Sequence, residues 1–397
     1  MSSNAPPSRR AFRIGLGEAT GAIADIGILV PLSAALILKD GMDAGAIALC
    51  AGLLYLGAGL WFRIPFPVQP LKALTAVAVA EQLGPGVIRA AGIELGLILL
   101  LLSLARAADH LARIFLKPVI RALQVGVGIL LFVAAIKLVK SPPDVSRGVP
   151  STPWLAALAA ATFIFVALAV RLRRHWVALV ALAAGVLATV AVAHPDLAPP
   201  ALSLPTLGLP GLSAFSTAFF LLVVPQLPLT FGNAVVATND LAHEEFGPAA
   251  ERVTPARICL SDGLANVAAG LIGGMPMCHG SGGLTAHIKL GARTAGMNLV
   301  LGGTFIVTGL FFARDVPALL GVLPVWVLAA FLAYAGMRHA WLAADLRGWS
   351  LAIALIAGIL GAWFGNLAIT AVVALPGAHA LAFAHRRKPS PAGNLAG

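Results

Sequence analysis

Charge is scarce in this sequence. Only 11% of its 397 residues are Asp, Glu, Lys or Arg, against about 25% in soluble globular domains. With 59% apolar residues and a mean hydropathy of +0.93, a soluble domain and a disordered chain are both excluded. Cysteine is scarce too. Cys50, Cys259 and Cys278 sit in apolar stretches without a Cys-X-X-Cys pair, so no disulfide framework is expected. The 16 acidic residues are outnumbered by 27 basic ones, a net charge of +11. In a membrane protein that excess reads as Lys and Arg on cytoplasmic loops, not as a nucleic-acid surface. Gly-X-Y periodicity is absent despite 42 glycines and 27 prolines, which excludes collagen. Membrane helices tolerate these residues because neighbouring helices re-satisfy the freed backbone groups. Met1 to Arg13 holds no apolar run with a cleavage site, so no signal peptide is expected.

What is present is a succession of apolar runs. A span needs about 20 residues, and hydropathy with Gly and Pro breakers gives fourteen segments. The first seven are 14–38, 43–62, 67–83, 87–107, 118–139, 154–171 and 175–194. The second seven are 215–241, 255–273, 280–291, 296–313, 317–340, 346–364 and 366–385. The Pro-rich stretch Pro195 to Pro210 opens a linker over 195–214, which leaves 1–194 and 215–388 as two halves and 389–397 as a tail. With the N-terminus in the cytoplasm and alternating spans, 20 of the 27 basic residues fall inside and 6 outside, and Lys72 stays within a segment. That bias predicts cytoplasmic termini in the inner membrane.

Segments 3 and 10 are short, and each follows a Pro- or Gly-rich run. Laid side by side, Ile64 to Ala73 and Met275 to Leu284 align Pro65 with Pro276. Both segments are third of seven, and seven spans per half gives the halves opposite topology. Paired interrupted segments in inverted repeats point to a transporter's midplane site. The expected fold is therefore an all-α polytopic membrane protein with two inverted repeats and two half-helices. One half-helix should start near Pro70 and its mate near Gly280, Ser281, Gly282 and Gly283. Their free N–H groups and partial positive charges would make an anion site.

Lys72 lies in the first turn of one half-helix. A buried ammonium needs an anion or an acidic partner, and Asp25 or Glu94 could serve structurally. Gln69, Gln226, Asn233 and Ser281 offer neutral donors suited to a tetrahedral oxyanion, with Thr230 beside them, although such residues also simply join helices. Asp25 is a mid-segment carboxylate that could carry a coupling proton, or pair with Lys72. His279 could donate to substrate or be a hydrogen-bonded structural residue. Glu94 and Asp262 rank lower, and Arg257 and Arg293 read as surface anchors. Gly15 to Gly21 lacks dinucleotide-binding spacing, and neither Gly-X-Ser-X-Gly nor His-Glu-X-X-His occurs. Cys278-His279 has no companion pair, so no metal is expected, and no cofactor either.

Three runs resemble the molybdate transporter family of plants, algae and bacteria: Pro67-Val68-Gln69-Pro70-Leu71-Lys72-Ala73, Pro228-Leu229-Thr230 with Asn233, and Gly274 to Gly283 followed by Gly291-Ala292-Arg293-Thr294. Ala24-Asp25-Ile26-Gly27 with Pro31 is similar to that family's first-segment motif. The resemblance spans nearly the whole chain, and Cys278-His279-Gly280-Ser281-Gly282-Gly283 is its most specific part. It implies a distant kinship with sulfate permeases, with a core of segments 1–4 and 8–11 and a gate of segments 5–7 and 12–14. The implied function is import of molybdate by alternating access, proton-coupled, with the lipid bilayer and a second copy of the chain as partners. Sulfate or another oxyanion is the near alternative. A nucleobase:proton symporter and an intramembrane enzyme are more distant ones.

Overall fold

The computed structural model describes residues 11–107, 116–142, 151–172, 187, 198–322 and 324–387. Nearly all of expected segment 7 (175–194), and the side chain of Asp25, lie outside the described residues. The first half comprises α1 (Leu16–Asp40), α2 (Ala44–Phe62), β1 (Gln69–Pro70), α3 (Lys72–Glu81), α4 (Pro85–Leu104), α5 (Lys117–Lys140) and α6 (Thr152–Arg171). The second opens with α7, a helical run over Leu212–Ala250. There follow α8 (Pro255–Ile272), β2 (Met277–Cys278), α9 (Ser281–Lys289), α10 (Gly296–Phe311), α11 (Val316–Val322), α12 (Val325–Trp341), α13 (Gly348–Trp363) and α14 (Leu367–Arg387). Six helical runs among the described residues are long and apolar enough to cross a membrane. Large apolar side chains such as Leu60, Leu101, Phe220, Ile356 and Trp363 face outward, a surface suited to lipid.

Segment 12 is divided into α11 and α12, with Pro324 as the N-cap of the second piece; proline has no N–H to continue a helix. α7 is interrupted by two wider π-helical stretches, Phe219–Val223 and Thr230–Val236. Pro225 and Pro228 lie between them. Each proline removes an N–H from the regular ladder, and π-bulges are a common way for a helix to absorb such a gap.

The two short helices arise from how their neighbours end. α2 and α8 both close on left-handed caps, Arg63 (φ 61°) and Gly273 (φ 92°), which turn the chain away from the helix axis. The chain then runs extended, because Pro65, Pro67, Pro70 and Pro276 bar the α region to the residues before them. α3 and α9 have 10 and 9 residues, about 15 Å or less at ~1.5 Å per residue, half a bilayer. Their lead-ins pair antiparallel, with Gln69 opposite Cys278 and Pro70 opposite Met277. Pro70 thus belongs to a strand and not to the first helical turn, which starts at Lys72 after the cap Leu71. Counting back from the caps Leu71 and Gly280, Pro67 and not Pro65 matches Pro276. The expected alignment slips by two residues.

Extended backbone buried inside the protein must find hydrogen-bond partners there. Asn298 on α10 accepts from Phe66 N at 2.9 Å and donates to Phe66 O at 2.7 Å. Asn266 on α8 does the same for Met277, at 2.8 Å both ways. Around this centre α2 packs along α10 and α4 along α8. Glycines permit the approach: a Cβ at Gly52 would lie 2.7 Å from Ile306 N, and one at Gly96 2.7 Å from Val267 N. α9 lies against α1 and α7, while α3 lies against α5 and α7. α5 packs with α12, α13 and α14.

Candidate functional site

The amino ends of α3 and α9 meet beside the π-helical stretch of α7. Gly280 marks the point. A Cβ there would fall 2.6 Å from Gln69 Oε1 and 3.3 Å from both Lys72 Nζ and Asn233 Nδ2, so the three polar groups converge where only glycine leaves room. Lys72 Nζ donates to Gln69 Oε1 at 2.8 Å. Ser281 Oγ donates to Asn233 Oδ1 at 2.8 Å. A small cavity of about 20 Å³ opens here, lined by Lys72, Gln226, Leu229, Asn233 and Cys278, together with Gln124 and Val127 from α5 and His339 from α12. That is room for about one water molecule.

The two helix ends are not alike. Gln226 Oε1 accepts from Ala73 N at 3.0 Å and from Leu74 N at 3.1 Å, and its Nε2 donates to Thr230 Oγ1 at 3.1 Å. The start of α3 is therefore capped from α7, and Thr230 supports that cap from a fully buried position. At α9, Gly283 N and Leu284 N turn back onto Gly280 O. The amides of Ser281 and Gly282 donate to no protein group among the described residues, and Gly282 is exposed with open space around it. Only α9 keeps free N–H groups and an uncompensated positive end.

His279 does not reach this cavity. Its ring is fully buried, with Nδ1 2.7 Å from Pro67 O and Nε2 2.9 Å from Ser261 Oγ. Phe62 and Phe66 meet it edge-on. Both nitrogens are engaged, so the expected substrate contact gives way to a structural role, and Asp262 lies 3.4 Å from Nε2. Glu18 is structural as well: its Oε1 accepts from Arg293 N and Thr294 N at 3.1 and 3.0 Å, pinning the turn between α9 and α10. Arg293 lies 3.9 Å from Glu245, both largely exposed, and Arg257 Nη1 donates to Arg252 O.

The site thus brings together Lys72, Gln226, Asn233 and the α9 amides, with Gln69, Thr230 and Ser281 behind them. Sequence reading missed Gln124 and His339. Each is a neutral polar side chain near an arginine in an otherwise apolar segment (Arg121 and Arg338), and both segments are fifth in their halves. No group of His, Cys, Asp and Glu among the described residues could hold a metal. The arrangement can bind an anion: one ammonium, amide donors and a positive helix end, with no acidic side chain lining it.

Comparison with known proteins agrees with that chemistry. The family profile described as "Molybdate transporter of MFS superfamily" matches residues 17–131 and 218–338. Molybdate transporter 1 of Arabidopsis thaliana is 29% identical over 375 residues, covering 85% of this chain and 81% of that protein. Molybdate transporter 1 of Chlamydomonas reinhardtii is 28% identical, covering 92% and 93%. Among solved structures, the transmembrane domain of the cyanobacterial bicarbonate transporter BicA superposes with a TM-score of 0.64 at 19% identity, covering 92% of this chain and all of that one. The murine anion transporter Slc26a9 in its inward-facing state gives a TM-score of 0.68 at 12% identity, covering 94% and 70%. These last two show a shared fold. The molecule is a multi-pass membrane protein, and its relatives are transporters, which removes the enzyme alternative.

Proposed function

Because this chain belongs to the molybdate transporter family, we propose that it imports molybdate across the cytoplasmic membrane by alternating access, with both termini inside. The observation that carries this reading is the placement of Lys72 in a cavity lined by no carboxylate, with the open amino end of α9 meeting Lys72 and Asn233 beside it. A tetrahedral dianion needs donors on several sides, and an ammonium with a helix end supplies both charge and direction. Residues 1–194 and 215–388 are the two inverted repeats in this reading. Its support is the pairing of Gln69 with Cys278, which stand equally far before their caps, and the exchange of partners between α2–α10 and α4–α8.

Lys72, Gln124, Asn233, His339, Ser281 N and Gly282 N would hold the anion, while Gln69, Gln226 and Thr230 fix the frame around it. Lys72, Asn233 and Gln226 come from the core; Gln124 and His339 come from helices of the gate. The cavity admits about one water, so an oxyanion requires the two parts to separate. Inward movement of a dianion against an inside-negative potential is opposed, and a proton on Asp25 would offset part of that charge. Sulfate has the same charge and shape and is the second substrate to test.

Uptake of labelled molybdate into vesicles, competed with excess sulfate and with uracil, tests the reading. Molybdate should enter, sulfate should compete and uracil should not. Lys72→Ala should lower uptake at least tenfold without loss of folded protein, and unchanged uptake would return Lys72 to a structural role. Asp25→Asn should lose the dependence on a proton gradient; if the dependence persists, Asp25 is not the coupling group.

A further inference from the structure

The cavity carries an asymmetry of hydrogen-bond polarity. Three amide side chains line it: Gln124, Gln226 and Asn233. Every one has its oxygen already occupied by a protein donor. Asn233 Oδ1 takes the hydroxyl of Ser281, and Gln226 Oε1 takes two amides of α3. Gln124 Oε1 accepts from Arg121 Nη1 at 2.9 Å. Arg121 is itself held by a two-pronged contact with Asp345, at 3.0 Å through Nε and 2.5 Å through Nη2, and Lys117 joins Asp345 at 2.9 Å. Asp345 ends the short turn that follows the helix of His339. The guanidinium cannot accept a hydrogen bond, so this chain of contacts orients the Gln124 amide: oxygen toward Arg121, NH₂ toward the cavity.

The Nε2 of Gln124 and the Nδ2 of Asn233 have no protein acceptor among the described residues. The Nδ1 of His339 is buried and also has no partner among the described residues. With an N–H on one nitrogen, the imidazole adds a donor and keeps a lone pair on the other. Lys72 adds an ammonium, which has no lone pair. The amide oxygens are thus turned away from the cavity by bonds made behind it.

We propose that Gln124, its amide orientation locked by Arg121 and Asp345, is a specificity-determining residue, and that the inward-turned donors of Gln124, Asn233 and Lys72 favour tetrahedral dianions without a proton over oxyanions that carry an O–H. This rests on the oxyanion reading given above. Molybdate and sulfate present four acceptor oxygens and no donor. Hydrogen phosphate has the same charge and nearly the same shape but must place one O–H, and at the Gln124 and Asn233 walls and at Lys72 that hydrogen meets donors. An unmet or opposed hydrogen bond in a closed site is costly, and charge cannot mask the effect because both competitors are dianions.

The test is displacement of labelled molybdate from the purified full-length chain at mildly alkaline pH, where phosphate is the dianion HPO₄²⁻. Sulfate should displace molybdate at a concentration at least about tenfold below that of hydrogen phosphate. Gln124→Glu keeps the shape and the bond to Arg121 but turns an oxygen inward. It should weaken sulfate and narrow the sulfate-to-phosphate gap about tenfold. Asn233→Asp makes the same change from the other wall and should narrow the gap likewise. Equal competition by sulfate and hydrogen phosphate in the wild type overturns the proposal, whatever the variants do. A gap left intact in both folded variants overturns the role of the amides. If the wild type binds neither molybdate nor sulfate, the oxyanion reading itself falls.

Discussion

Gln226 offers a test in which stability and transport are expected to part. Its carbonyl caps Ala73 N and Leu74 N, both buried. Gln226→Met keeps the volume but leaves two amides without acceptors in a closed interior. Each unmet group costs roughly 1–3 kcal/mol, so the pair should cost about 2–6 kcal/mol. Gln226→Glu should behave in the opposite way. A carboxylate still caps both amides and complements the positive end of α3, which stabilises by up to about 1 kcal/mol. The same carboxylate also borders the cavity. At about 5 Å and an effective dielectric of about 20, it would oppose each charge of a bound anion by roughly 3 kcal/mol, more than a hundredfold in affinity. Thermal unfolding of the purified protein, read beside uptake into proteoliposomes, gives both quantities. The methionine variant should melt early. The glutamate variant should melt like the wild type and transport almost nothing. A methionine variant as stable as the parent would refute the capping argument, and a glutamate variant with full uptake would refute the placement of the anion.

Three further outcomes follow from the same geometry. Asn298→Leu and Asn266→Leu each leave an extended backbone N–H and C=O unpaired, and each should cost roughly 2–6 kcal/mol; unfolding midpoints within error of wild type would show that water replaces the clamp. Gly96→Val places a side chain where a Cβ already lies 2.7 Å from Val267 N. It should part α4 from α8 and lower the yield of monodisperse protein severely, while Gly57→Ala, with open space around it, should leave yield unchanged; equal yields would refute the close-packed seam. Asp345→Asn weakens two ion pairs, with Arg121 and Lys117, at a carboxylate that is 38% exposed; surface pairs are worth about 1 kcal/mol or less each, so its melting should move little even though it loosens Arg121 behind the cavity, and a loss well beyond that would contradict the exposure of Asp345.

Much of this was legible beforehand, because the physics that writes it is local. Prolines at 65, 67 and 70 forbid helix before Lys72 whatever surrounds them, and the low charge content forces the surface toward lipid. The seam glycines and the cluster around Gly280 were visible as residues but not as contacts. Sequence gave no means to separate His279 from Asn233: both are polar residues near a break. The structure separates them through partners distant in the chain, Pro67 for one and Ser281 for the other. Gln226 read as a donor facing substrate and proved to be an acceptor facing α3, since the direction of an amide depends on what lies across from it. The two-residue slip between the half-helices has a similar origin. Matching prolines is a weaker guide than the hydrogen-bonded register, and the register exists only once the strands have met.

The pairing of Gln69–Pro70 with Met277–Cys278 has a mechanical consequence. A ladder shared between two segments more than two hundred residues apart ties their following helices into one body. Neither α3 nor α9 can then tilt alone without breaking buried main-chain bonds, so a bound ion would travel with both or with neither. In the proposed transport cycle, access from each side of the bilayer would come from sliding that whole unit past α5 and α12, and the friction of the journey would fall on the surfaces around Val127 and Leu229 instead of on the ion's own contacts.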